Sequence, residues 1–395
     1  MELPLLRAGV WASRLPLETL TMTARASALR PLIAAMPKGG YPLTAVEIER
    51  THGVGNVRML HLNESPLPPS PKAIAAIAAG AATVNRYPEA ASATLAAALA
   101  ARTGVQPDCM MFGVGSDELL HFCCAATLDA GDGGVLPEPS FPRYKVSTRL
   151  MGGVIQPAKL RADGANDPDA LLAAIDDRTR LMFVCNPNNP SGGLLGAAEL
   201  QHLIAGVPDR VLLVLDEAYW EFGMAAGGVD SLPLLRARTG PWVVLRTFSK
   251  AYALAGIRVG YALCSSPEVA GTLAKFKNTF SVTNLAYEAA LAALEDQAHL
   301  TALVGGARAE LARLDQGLRA LGLSPLPTAA NFISADIARP VAPVIEALKA
   351  EGILIRDWRE PGYETFIRIT AGTAEDTDAV LAALRTVLTR NETAG

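Results

Sequence analysis

A chain of 395 residues exceeds what one small core organises and implies two domains, or one large domain with an appendage. Half of it is hydrophobic and 19% charged, a globular composition, and a net charge of -4 with scattered basic residues leaves no basic face for nucleic acid or an anionic membrane. Its five cysteines and five histidines show no ligand spacing, so no metal site is expected and the thiols read as reduced, which implies the cytosol.

The first residues are interrupted by Arg7, Arg14 and Glu18 and lack a signal-peptide core, and no apolar run is long enough to span a bilayer. Residues 1–60, punctuated by Pro31, Pro37, Gly39, Gly40 and Pro42, read as an arm or partly helical lead-in. Residues 61–71 set polar side chains between prolines and read as a fixed loop, with Pro71 opening a helix. Residues 91–103 read as another helix. Residues 110–120 read as strand, glycine turn and helix start, with Ser116 and Asp117 as N-cap types.

The apolar runs 181–185, 211–215 and 242–245 suit strands of a parallel sheet covered on both faces. Each ends in a polar motif: Asn186 to Pro190, Asp216 to Tyr219, and Thr247 to Lys250. Ligands of open α/β sheets bind beyond the carboxyl ends of the strands, so three such motifs point to one shared site. From about residue 285 the pattern changes. Helical stretches over 285–294 and 300–321 precede strand candidates over 330–334 and 365–369, and a last helix over 375–389. This places a domain boundary near 290, giving an arm (1–60), a large domain (61–290) and a small domain (291–395).

The densest chemistry lies in residues 247–258. Thr247, Ser249, Lys250 and Arg258 crowd a segment otherwise rich in alanine. A lysine can form an imine with an aldehyde, and hydroxyls with an arginine can hold a phosphate. That pair of needs fits pyridoxal 5'-phosphate (PLP); the plain alternative is a surface lysine beside a helix start. Gly113 and Gly115 have dinucleotide-fold spacing, but Glu118 stands where a third glycine would fall, and the lysine of a P-loop is missing. A single-phosphate cradle at a helix start, or an ordinary capped turn, remains. Asp216, at the tip of a buried strand, is costly unless paired, and either a pyridinium N–H or a structural cap would pair it. Tyr219 and Asn189 are within reach of the same ligand, and Phe141 is a candidate stacking ring. Arg368, between isoleucines on a strand, suits a substrate carboxylate, with an exposed edge-strand arginine as the alternative. Arg356 would serve a second acidic group or pair with Asp357.

Taken together, Asn63-Glu64-Ser65-Pro66, Arg86-Tyr87-Pro88-Glu89, Gly115-Ser116-Asp117-Glu118, Pro139-Ser140-Phe141, the 186–192 segment, Asp216-Glu217-Ala218-Tyr219, the 249–258 segment and the 367–373 segment, in that order, resemble the fold-type I PLP aminotransferases. The nearest subgroup is the histidinol-phosphate aminotransferases. The resemblance implies a three-layer α/β large domain with a mostly parallel seven-stranded sheet and a smaller α+β domain, with the arm packed on the latter. It implies that Lys250 bonds PLP and shuttles the proton, that Asp216 holds the ring nitrogen, that Tyr219 and Asn189 bond the ring oxygen, and that Phe141 stacks. Ser116, Asp117, Thr247, Ser249 and Arg258 would bind the phosphate, joined by Tyr87 of a neighbouring subunit in a homodimer with shared sites. Arg368 would hold the α-carboxylate and Arg356 the distal end, with Asn63 and Asn189 beside the substrate. The reaction implied is ping-pong transfer from an L-amino acid or histidinol phosphate to a 2-oxo acid such as 2-oxoglutarate. Two positions depart from the subgroup: Met36-Pro37 stands where a Pro-Tyr segment is usual, with Tyr41 in another register, and Phe141 stands where tyrosine is usual. An aromatic or specialised amino donor, a related PLP decarboxylase or cyclase, a non-catalytic PLP-binding regulator and a Ser-Lys hydrolase are the competing readings.

Overall fold

The computed structural model describes residues 28–40, 42–88, 91–358 and 360–390. Tyr41, Glu89 and the first 27 residues of the expected arm lie outside the described residues. In chain order the strands are β1 (Arg58–Met59), β2 (Met110–Gly113), β3 (Gly133–Glu138), β4 (Val154–Lys159), β5 (Thr179–Cys185), β6 (Leu212–Asp216), β7 (Trp242–Thr247), β8 (Gly260–Cys264), β9 (Ser324–Pro325), β10 (Phe332–Asp336), β11 (Ile353–Leu354), β12 (Arg356–Asp357) and β13 (Phe366–Thr370).

Seven of them form one sheet in the order β2-β8-β7-β6-β5-β3-β4. β3 to β7 run parallel, and β8 is antiparallel to both neighbours. Every residue of β6 and β7 is buried, as the continuous apolar runs require of strands covered on both faces. Leu213, Leu215, Trp242 and Val244 enter one core, and Leu212, Val214, Val243 and Leu245 enter the other. Each such side chain contributes about 1.5–3 kcal/mol of burial. Strands β3 and β4 escape sequence reading because Gly133, Gly134, Pro137 and Pro157 are poor strand residues, tolerated here by position in the sheet rather than by propensity.

A four-stranded antiparallel sheet, β12-β13-β10-β9, packs with helices Gln297–Ala320, Val341–Ala350 and Ala374–Arg390 around a separate core. β10 starts two residues later than its sequence pattern suggests, because Ala330 is turned by its N–H bond to Thr328 Oγ1. The short β1 pairs in parallel with β11, so the chain just before residue 60 joins the small sheet's side of the molecule. Position 290 falls inside helix Asn284–Leu294, whose Ala286, Ala289, Ala290, Ala293 and Leu294 belong to a core of the large sheet. Tyr219, Phe222, Ala251, Val304, Ala330 and Phe332 form a fourth cluster that joins the two halves next to Lys250.

Candidate active site

The carboxyl ends of β5, β6 and β7 deliver Asn189, Asp216 and Lys250 to one place. Asp216 is buried. Its Oδ2 accepts from the Tyr144 hydroxyl at 2.6 Å and its Oδ1 from the Ala218 N–H at 3.1 Å. Burial pushes its carboxyl up to about 6, against the pull of those two donors. Lys250 Nζ donates to the Leu62 carbonyl at 3.0 Å. Burial, reinforced by Arg368, brings its ammonium down to about 8, so a useful neutral fraction exists near neutral pH.

The expected anion cradle differs from its sequence reading in one respect. Gly115, with φ +88°, is the N-cap of helix Ser116–Thr127, while Ser116 and Asp117 lie inside the first turn and no side chain caps the helix. A Cβ on Gly115 would meet Arg258 Nη2 at 2.5 Å, and one on Gly260 would meet the Ser116 nitrogen at 2.6 Å. The positive φ at Gly115 and the backbone contact at Gly260 are what call for glycine, and the capping position falls to Gly115. Thr247 pairs in register with Gly260, and its hydroxyl donates to Ser249 Oγ at 2.9 Å. Arg258 reaches the Val114 carbonyl at 3.0 Å. Ser116, Thr247, Ser249 and Arg258 therefore surround an open helix N-terminus, with Asp117 in its first turn.

The other half of the site comes from the small sheet and the 61–66 loop. Arg368, on β13, is buried; Nη1 donates to Asn189 Oδ1 at 2.6 Å and Nη2 to the His61 carbonyl at 2.7 Å. Burial brings its guanidinium down to about 10, and its Nε has no partner among the described residues. Because Arg368 only donates, Asn189 must turn its oxygen to it, which aims Nδ2 at the Tyr219 hydroxyl, 3.4 Å away. Asn63 Nδ2 donates to the same hydroxyl at 2.8 Å. Two amide donors thus occupy the Tyr219 oxygen and leave its proton to give. Asn63, with φ +56°, is pinned by Thr370 and Asn331. Arg356 lies opposite Arg368 in the β12–β13 register.

Two expected residues stand at the margins. Phe141 precedes helix Pro142–Leu150 and meets the Tyr144 ring edge-on, with centroids 5.8 Å apart. Tyr87 is 72% exposed and stacks on the exposed ring of Phe280 at 4.4 Å. Sequence reading missed Tyr144, the donor to Asp216. The available signal was its place three residues after Phe141 in a helix opened by Pro142, which puts the two on one face. It also missed the Leu62 and His61 carbonyls, for which no sequence signal exists.

The donor set fits PLP. A buried carboxylate without a cationic partner suits a pyridinium N–H, an uncapped helix start with hydroxyls and an arginine suits a phosphate, and a half-buried lysine of lowered proton affinity suits an aldehyde. Fold and site together define a PLP-dependent transaminase of the fold-type I class. The chain belongs to the family described as aminotransferase class I and II, whose model matches residues 56–384. It is 42% identical to "Histidinol-phosphate aminotransferase 2" of Pseudomonas aeruginosa over 87% of this chain and 92% of the relative. It is 35% identical to "Histidinol-phosphate aminotransferase 1" of Mesorhizobium japonicum over 88% and 94%. Among solved structures, the histidinol-phosphate aminotransferase of Sinorhizobium meliloti, in complex with pyridoxal-5'-phosphate, superposes with a TM-score of 0.85 at 30% identity, covering 92% of this chain and 98% of that one.

Proposed function

We propose that the chain is a homodimeric, cytoplasmic transaminase that takes the amino group of histidinol phosphate, or of an L-amino acid of similar size, and passes it to a 2-oxo acid such as 2-oxoglutarate. The observation that carries the reading is the continuous chain Arg368–Asn189–Tyr219–Asn63 beside Lys250, which joins an anion receptor to a cofactor seat. The names and identities of the relatives support the phosphorylated donor. The exposed Tyr87–Phe280 stack supports a subunit contact there. Among the described residues no helix is long and apolar enough to cross a membrane.

Bound PLP supplies a ring that stores the electron pair released at the substrate Cα. In this reading Asp216, oriented by Tyr144, holds the ring nitrogen's proton. Tyr219 and Asn189 hold the ring oxygen, and Phe141 covers the ring. Ser116, Asp117, Thr247, Ser249 and Arg258, with Tyr87 of the second subunit, hold the phosphate. Arg368 receives through its planar fork the α-carboxylate of the 2-oxo acid or amino acid, or the phosphate that stands in its place in histidinol phosphate, and Arg356 the distal anion, while Asn63 keeps Tyr219 in place. Lys250 Nζ, partly neutral near pH 7, takes the proton from Cα and returns it one position further along. The division into an arm (1–60), a large domain (61–290) and a small domain (291–395) belongs to the same proposal, supported by the separate cores and by β1 joining β11.

Borohydride should fix the cofactor to Lys250 in the purified yellow protein. A half-reaction screen of amino donors should then rank histidinol phosphate first, with 2-oxoglutarate regenerating the starting spectrum. An aromatic donor ranking first would sink the phosphorylated substrate, and carbon dioxide release without amination would sink the transaminase.

A further inference from the structure

Two charged side chains are as buried as the site residues and have no part in that chemistry. Glu217 is 3% exposed and Arg246 2%. Glu217 follows Asp216 at the tip of β6, and Arg246 precedes Thr247 in β7. Neighbouring strand residues point to opposite faces. Leu212, Val214, Val243 and Leu245 pack in the core that also holds Leu119 and Leu120 of helix Ser116–Thr127. Asp216 and Thr247 continue that set, toward the anion cradle. Glu217 and Arg246 continue the opposite set, behind the sheet.

Behind the sheet they are locked together. Arg246 Nε donates to Glu217 Oε2 at 2.8 Å and its Nη2 to Asp230 Oδ1 at 3.2 Å, and the guanidinium lies 3.9 Å from the Trp220 ring centroid. Ser231 Oγ donates to Glu217 Oε1 at 2.5 Å. The backbone ladder between β6 and β7 ends at the pair Asp216–Leu245, followed by one bond from Glu217 N–H to the Leu245 carbonyl at 2.8 Å. Beyond it the two strand tips are tied by this ion pair. A buried pair is a weak stabiliser, because desolvation offsets its attraction and apolar replacements often do as well. What it supplies is a defined separation between the residues on either side of it.

We propose that Glu217 and Arg246 are positioning residues, a cross-tie that sets the spacing of Asp216 and Thr247 and so the fit of ring nitrogen and phosphate at once. The proposal rests on the reading that those two residues hold the cofactor.

The test is Glu217→Gln in the full-length holoenzyme, with Glu217→Gln/Arg246→Gln beside it. The single variant should keep its far-UV circular dichroism. It should release PLP with a dissociation constant raised about 10-fold, show a displaced pH midpoint of the cofactor's visible absorption, and lose about 10-fold or more in kcat at unchanged donor KM. The double variant, which leaves only the exposed carboxylate of Asp230 without its guanidinium, should recover most of its melting temperature while PLP affinity and pH midpoint stay displaced. A merely structural pair would instead let affinity and melting temperature return together, which overturns the proposal, as does wild-type PLP affinity in both variants. Should Glu217→Gln not fold, Ser231→Ala removes one bond to Glu217. It should weaken PLP about 3-fold, the loss of a minor hydrogen bond, and unchanged affinity there overturns the tie. Asp216→Asn separates the two levels: wild-type PLP affinity and spectrum in that variant would overturn the reading of the site, and the tie with it.

Discussion

The two halves of the site are built by different rules. The cofactor half is made of strand tips and one helix start, held mostly by groups close in the chain or packed on the same sheet: Asp216 by Ala218 two residues on and by Tyr144 of helix Pro142–Leu150, Thr247 by Ser249, with Lys250 alone reaching out to the Leu62 carbonyl. The substrate half is made of contacts between segments remote in the chain. Arg368 reaches back 307 positions to the His61 carbonyl and 179 to Asn189, and Asn63 reaches 156 forward to Tyr219. A rigid sheet edge can hold a cofactor permanently. A receptor assembled from β13, the 61–66 loop and β5's terminal loop depends on how the two cores are docked. Damage to the first half should therefore act on every donor alike, and damage to the second should act on donor affinity.

Lys250→Ala should break that comparison most severely, lowering kcat by roughly 10^4-fold or more for any donor, since it removes both the imine-forming amine and the base proposed for the Cα proton. Steady-state assays would show it, and residual transamination at wild-type rates would remove Lys250 from its role. Arg368→Lys should raise donor KM about 100-fold with a smaller change in kcat, because an ammonium cannot reproduce the bidentate fork. The same variant should leave the spectrum of the bound cofactor unaltered; a disturbed spectrum would mean that the halves are not separable. Tyr144→Phe should cost about 10-fold in kcat for all donors. The lost hydroxyl lowers the Asp216 carboxyl at present, so without it that carboxyl rises further above about 6. PLP affinity on acidification should then fail at higher pH than in wild type, which a pH series of cofactor titrations would reveal.

The smallest effect concerns the cofactor-free protein. The Lys250 ammonium falls from 10.5 to about 8 on folding, so between those values the unfolded chain carries a proton that the folded chain lacks. Stability linked to this group consequently rises with pH across that window, and the penalty is fully present below it. Lys250→Met should be more stable than wild-type apoprotein at pH 7 by on the order of 2 kcal/mol, with the gap closing toward pH 10. Denaturant melts at the two pH values would measure it, and a gap that widened would reverse the sign of the argument.

Legibility followed the same division. The tips of β5, β6 and β7 announce themselves as apolar runs ending in polar residues, because a strand buried on both faces must be apolar throughout and its end is where the chain meets water. Lys250, Asp216, Asn189 and the Gly115–Ser116 turn were all open to that reasoning. Tyr144 was half-open, through its helical spacing from Phe141. The His61 and Leu62 carbonyls were closed to it, since every residue has a carbonyl and only tertiary structure chooses which ones meet Arg368 and Lys250. Strands β3 and β4 were closed as well, their prolines and glycines outvoted by the neighbours that pair with them.

By itself, then, the order of residues determined the parallel strands β5, β6 and β7, the lysine just beyond the end of β7 and the kind of cofactor that suits the hydroxyls and arginine around it. These depend on periodicity and side-chain chemistry, which are local. Tertiary structure alone decided that Asn189 turns its oxygen to Arg368 and its nitrogen to Tyr219. It also decided that Gly115 rather than Ser116 caps helix Ser116–Thr127, and that Glu217 and Arg246 meet behind Asp216 and Thr247. Those outcomes depend on which donors and acceptors are left unsatisfied once two cores have packed, and that is settled only when distant segments share one buried space.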